Sequence, residues 1–122
     1  MPLPFDPKQC PAQTFETGQP IFLEGDRAAF VYLVQSGRVD IYRGKGAHRR
    51  KLNSIGSGGV FGEMAVIDGE PRMADAIAGT RTVCLLIPRA VLEEKLKSAD
   101  PFIRALLRIL VRNMRSMAAE MD

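Results

Sequence analysis

The sequence predicts a mainly β protein, an antiparallel sandwich or barrel followed by two α-helices. Three observations predict it. As far as Pro88 the chain is punctuated by glycines, at Gly18, Gly25, Gly37, Gly44, Gly46, Gly56, Gly58, Gly59, Gly69 and Gly79, and the segments between them are short and rich in β-branched and aromatic residues. Many short strands joined by glycine turns pack as a sandwich or barrel. Beyond Pro88 the apolar residues recur with a helical period instead. The 122 residues leave room for one domain with a modest core.

Taken in order, residues 1–12 carry four prolines and read as a flexible N-terminal arm. Strands are expected at 13–16, 21–23, 31–35, 38–43, 50–55, 73–78 and 80–87, with partial in–out alternation over 30–34 and 39–42. Residues 89–98 fit a short helix ended by Ser98, Ala99 and Asp100. Asp100 can cap the next helix, with Pro101 at its first position. That helix runs from Pro101 to about Met121. Ile103, Leu107, Leu110, Met114, Met117 and Met121 step along it as a heptad seam, and Phe102, Leu106 and Ile109 form a second apolar strip. One strip suffices to dock the helix on its own sheets, so the second predicts a homodimer through residues 101–121.

Charge and cysteine usage narrow the function. With 17 basic and 14 acidic residues the net charge is only +3, too small to argue for nucleic acid. Cys10 and Cys84 show no metal-ligand spacing, and Cys84 lies in the apolar run from Val83 to Ile87, as a buried thiol does. The first residues lack the basic and apolar regions of a secretion signal. No apolar run reaches the roughly 20 residues that span a bilayer. A cytoplasmic protein without a membrane partner is expected.

The most informative stretch is residues 61–74, FGEMAVIDGEPRMA. Gly62 lets the backbone approach a ligand closely. The residues after it can form a short helical turn whose free N–H groups favour a phosphate. A Gly-Glu-Pro turn then delivers Arg72, whose planar fork of donors matches phosphate oxygens. Glu63, nine residues upstream, needs a donor of its own, and a ribose hydroxyl supplies one.

This segment resembles the phosphate-binding cassette of cyclic-nucleotide-binding domains, those of catabolite activator protein and of the regulatory subunits of cyclic-AMP-dependent kinase. Phe15, Gly18, Ile21, Phe22, Gly25 and Asp26, then Tyr32, Val34, Gly37, Val39, Ile41 and Tyr42, follow the family's early strands and turns in order. The resemblance implies an eight-stranded antiparallel jelly-roll β-barrel over residues 13–88, containing the cassette 61–74, with the helices of 89–122 as lid and dimerisation element. It also implies the site. Arg72 would take the cyclic phosphate and Glu63 the ribose 2′-hydroxyl. Gly62, Met64, Ala65, Met73 and Ala74 would supply backbone contacts. Val60, Phe61 and Ile41 are an apolar wall beside sugar and base, or plain core.

Two departures bear on the ligand. Met73 stands where many members carry a serine or threonine, so the hydroxyl that would reach a guanine amino group is missing and cyclic AMP is favoured over cyclic GMP. In the last helix the adenine-contacting hydroxyls of catabolite activator protein fall near Ala118 and Ala119, which leaves base recognition to Met114, Met117 and Arg115. Asp75, two residues beyond Met73, is expected to point away from the phosphate. The basic stripe Arg104, Arg108, Arg112 and Arg115 and the hairpin from Arg43 to Lys51 read as solvated faces.

The expected function is thus a cyclic-nucleotide sensor, a binding module that signals through its C-terminal helices to an effector protein. It would have no cofactor beyond the nucleotide ligand. No direct DNA binding is expected, since no residues follow Asp122 to form a helix-turn-helix. An enzyme on this scaffold would need histidines for a metal or a base, and His48 in the basic hairpin is the only one. The alternative is a degenerate domain that dimerises and docks without ligand.

Overall fold

A computed structural model describes residues 7–120. Eight strands, β1 (Ala12–Phe15), β2 (Pro20–Phe22), β3 (Phe30–Ser36), β4 (Val39–Arg43), β5 (Arg50–Ile55), β6 (Val60–Phe61), β7 (Asp75–Ala78) and β8 (Thr82–Pro88), form two antiparallel four-stranded sheets. Their orders are β1-β8-β3-β6 and β2-β7-β4-β5. Hydrogen bonding among the described residues does not close the two sheets into one cylinder. The expected closed barrel is therefore replaced by a two-sheet sandwich. Helix α1 (Glu63–Asp68) interrupts the strands, and α2 (Arg89–Lys97) and α3 (Pro101–Glu120) follow them.

The main core lies between the sheets. Phe15, Tyr32, Val34, Phe61, Cys84 and Leu86 from one sheet meet Val39, Ala76 and Ala78 from the other. Small residues on β7 let its neighbours' larger side chains interdigitate, as close packing requires. A second cluster joins Cys10, Ala28, Val31, Ala65, Val66 and Ile87 beneath α1 and α2. This corrects the N-terminal arm. Pro7–Gln9 form a 3-10 turn, Cys10 is buried, and the Pro11 carbonyl accepts the Leu86 N–H at 2.8 Å. Residues 1–6 lie outside the described residues.

Asp100 caps α3 as its sequence position suggests, its Oδ1 accepting the Phe102 N–H at 2.8 Å. The face of α3 docked within the chain coincides with neither of the two expected apolar strips. Val111 and Ala118 are buried and Leu107 half-buried, one helical stripe, whereas Ile103, Leu110, Met114 and Met117 stay exposed. Phe102, Leu106 and Ile109 are exposed as well, Phe102 at 71%. Within one chain both predicted apolar strips are largely uncovered. Met121 lies outside the described residues. No described helix is long and apolar enough to cross a membrane.

Candidate functional site

Gly62 opens α1 with φ +78°, a left-handed conformation that side chains with a Cβ adopt at a cost. A Cβ there would sit 2.8 Å from Arg72 Nη1 and 3.2 Å from the Phe22 ring. Glycine is thus required twice, by conformation and by the closeness of Arg72. At the other end of α1, Gly69 returns its N–H to the Ala65 carbonyl at 3.0 Å and lets the chain turn back toward Pro71 and Arg72.

Arg72 is the unusual residue. It is only 4% exposed and forms no ion pair among the described residues. Its Nη1 donates to the Gly62 carbonyl at 2.5 Å and its Nη2 to the Phe30 carbonyl at 2.6 Å. The guanidinium lies 4.1 Å above the Phe22 ring centroid, with Tyr32 behind it. Nε is buried with no hydrogen-bond partner. Burial pulls the guanidinium's pKa below its ordinary value, and Tyr32, Asp26 and Glu63 act through space against that shift. Burial likewise raises the Tyr32 phenol. Holding a cation in this position is costly unless an anion shares the site.

Beside Arg72 opens a cavity of about 260 Å3. Two larger depressions, one at the β4–β5 hairpin and one along α3, are lined mainly by charged surface side chains. The cavity at Arg72 brings together Ile41, Val60, Phe61, Gly62, Glu63, Met64, Ala65, Arg72, Met73, Ala74, Met114 and Arg115. Met117 is not part of this lining and is 64% exposed, which corrects its expected place in a base pocket. Four further residues line it that sequence reasoning missed: Phe22, Leu52, Asn53 and Ile55. The run from Ile21 to Leu23 marked a strand but not the side of it that faces Arg72.

Arg115 holds a different set of partners from the one expected. Its Nε and Nη2 donate to the two oxygens of Asp68, the last residue of α1, and Nη2 also donates to the Pro71 carbonyl at 3.1 Å. One side chain on α3 thereby grips both ends of the turn that carries Arg72. Asp75 points away from the cavity as expected, its carboxylate taken by Arg49 at 2.6 Å and by the Glu24 N–H at 2.8 Å.

A two-sheet β domain thus sets a short helix and, just after it, a buried arginine that forms no ion pair among the described residues, both at one cavity. The pattern of the cyclic nucleotide-binding domain matches residues 12–99, and the chain belongs to that family. It is 33% identical over 109 residues to the cyclic AMP receptor protein of Thermus thermophilus, a match covering 88% of this chain and 50% of that protein. It is 36% identical over 84 residues to a cGMP-dependent protein kinase of Toxoplasma gondii, covering 69% of this chain and 8% of the kinase. The chain thus spans half or less of the length of these relatives. Among solved structures, the cAMP-bound form of the EAL enzyme Bd1971 superposes with a TM-score of 0.86 at 30% identity, covering 91% of this chain and 30% of that one. Thermus thermophilus catabolite activator protein superposes with 0.73 at 31% identity, covering 95% and 55%.

Proposed function

We propose that this domain binds a 3′,5′-cyclic nucleotide, cyclic AMP in preference to cyclic GMP, in the cavity at Arg72. The observation that carries the reading is the buried Arg72 guanidinium, which forms no ion pair among the described residues and has an unsatisfied Nε. A cyclic phosphate supplies the missing charge and acceptor. The N–H groups of α1's first turn, left without intrahelical acceptors, add donors. Glu63 accepts from the ribose 2′-hydroxyl, and Ile41, Val60 and Phe61 wall the sugar and base. Met73 offers no hydroxyl to a guanine amino group, which favours adenine. The solved forms of the similar EAL enzyme Bd1971 with cAMP and with cGMP support a cyclic-nucleotide ligand.

The domain works as a cytoplasmic binding module rather than an enzyme. Its output is mechanical. A phosphate held between the first turn of α1 and Arg72 also moves Asp68 and Pro71, and Arg115 carries that displacement to α3. The exposed apolar strips of α3 support a homodimer through this helix, whose rearrangement an effector protein would read. Titration calorimetry of the purified chain with cyclic AMP and cyclic GMP tests the reading. Binding in the micromolar range or tighter is expected, about −8 kcal/mol or better, with cyclic AMP favoured about tenfold. Absence of heat at millimolar nucleotide would replace it with a domain that dimerises and docks without ligand.

A further inference from the structure

The cavity wall opposite the cassette contains one uncharged polar side chain, and its place in the sheet gives it a task. In β4 and β5, Val39 pairs with Ile55 and Ile41 with Asn53. Val39 is fully buried, and Ile41 and Ile55 pack on the core, so this row faces inward. Ser54, between Asn53 and Ile55, faces the other way and donates to Asp40 at 2.7 Å. Directly opposed residues in an antiparallel pair share a face. A cross-sheet row therefore runs Phe22, Ala76, Ile41, Asn53, apolar until its last member, which lies at the cavity. The register also slips between Ile41 and Tyr42, leaving Leu52 as the extra residue of a bulge. Bulges re-aim side chains at binding sites.

Asn53 ends that row on the edge strand of its sheet, where it is exposed, so its carboxamide is open to a ligand in the cavity. Its Oδ1 accepts the Ser54 N–H at 2.8 Å, which fixes the orientation of the carboxamide and leaves one lone pair on Oδ1 unused. Its Nδ2 has no acceptor among the described residues. The other polar groups of the cavity are committed, Arg72 and Glu63 at the phosphate and sugar end and Arg115 to Asp68 and Pro71.

We propose that Asn53 reads the base of the bound nucleotide and selects adenine. This inference rests on the cyclic-nucleotide reading above. A carboxamide presents an acceptor beside a donor, and adenine presents a donor, its 6-amino group, beside an acceptor ring nitrogen. Oδ1 accepts from the amino group while Nδ2 donates to ring nitrogen N7. Guanine presents two acceptors on the same edge, so Oδ1 would face another oxygen and only one bond could form. Base selectivity thus comes from the β4–β5 sheet, in place of the hydroxyls that α3 lacks.

The test uses two ligands, cyclic AMP and purine riboside 3′,5′-cyclic monophosphate, which lacks only the 6-amino group. Each is titrated into the wild type and into Asn53→Ala. The wild type should favour cyclic AMP about tenfold, within the discrimination expected of a paired base contact. Asn53→Ala should lose about that tenfold on cyclic AMP and stay within about threefold on the analogue, abolishing the preference. Retained affinity for the analogue shows at the same time that the variant folds. Equal losses on both ligands, or no loss on cyclic AMP, would overturn the role of Asn53. A wild type that binds neither ligand overturns the cyclic-nucleotide reading itself, a result distinct from the other two.

Discussion

Replacing Gly62 by alanine should damage the fold and the site together, by an amount the geometry sets. Placing a residue with a Cβ at φ +78° costs about 1–2 kcal/mol, of which the stiffer unfolded chain returns about 0.4–1 kcal/mol. The new Cβ also lies 2.8 Å from Arg72 Nη1, too close to stand. That nitrogen cannot simply swing aside, because Arg72 is pinned by the Gly62 and Phe30 carbonyls and lies over Phe22. Moving it forfeits one charged hydrogen bond, about 1.5–3 kcal/mol. The sum is a loss of about 2–4 kcal/mol in urea unfolding, and a weakening of nucleotide binding by tenfold or more because the guanidinium is displaced. A double-mutant cycle isolates the cause. In an Arg72→Met background the same glycine replacement should cost only the backbone part, about 1 kcal/mol, so the two changes fail to add by more than 1 kcal/mol. Equal costs in both backgrounds would refute the reasoning and leave backbone strain as the whole effect.

Two further predictions follow from the helix and the core. Leu110→Glu alters a side chain that is 47% exposed within one chain, so circular dichroism should show an intact fold while sedimentation shows a wild-type dimer become monomer, a loss of several kcal/mol of association from burying an unpaired charge; a wild type that is already monomeric would exclude the dimer. Burial pushes the Cys84 thiol up to about 11, so its contribution to stability is intact below the unfolded thiol's 9.0 and is lost as the pH rises through the folded value. At about pH 10.5 the wild type should have lost about 2 kcal/mol through this group, and Cys84→Ala should lack that loss when urea midpoints at pH 8 and 10.5 are compared; parallel losses would contradict it.

Much of the fold is legible in the chain because glycine turns and a change of apolar period are local signals. Strand β8, the Asp100 cap and the helix from Pro101 all leave such marks. Strand β6 does not, since Val60–Phe61 is two residues long and exists only through its pairing with Tyr32 and Leu33. The N-terminal turn was hidden for a similar reason: prolines signal irregular backbone, but the burial of Cys10 depends on a pocket made by Ala28, Val31, Val66 and Ile87. In α3 the apolar residues nearly encircle the helix, so periodicity alone could not say that Val111 and Ala118 rather than Ile103 and Leu110 would dock.

The site divides along the same line. Gly62, Glu63 and Arg72 stand out in sequence because a short motif fixes their spacing, and the structure gathers them at one cavity. The β5 wall is not legible, because Leu52 and Asn53 reach the cavity through a bulge that no spacing announces. Nor is the grip of Arg115 on Asp68, which joins residues 47 positions apart. Pairings of that separation are decided by how α3 lies across α1, a tertiary outcome.

The most direct test of the central claim is calorimetric titration of cyclic AMP into the wild type and into Arg72→Ala, with Glu63→Ala alongside. Removing the one charge aimed at the phosphate should weaken binding by about 2–5 kcal/mol. Removing the ribose acceptor should cost less, about 1–3 kcal/mol. Undiminished affinity in Arg72→Ala, with the variant folded, would contradict the assignment of this buried arginine as the phosphate-binding residue.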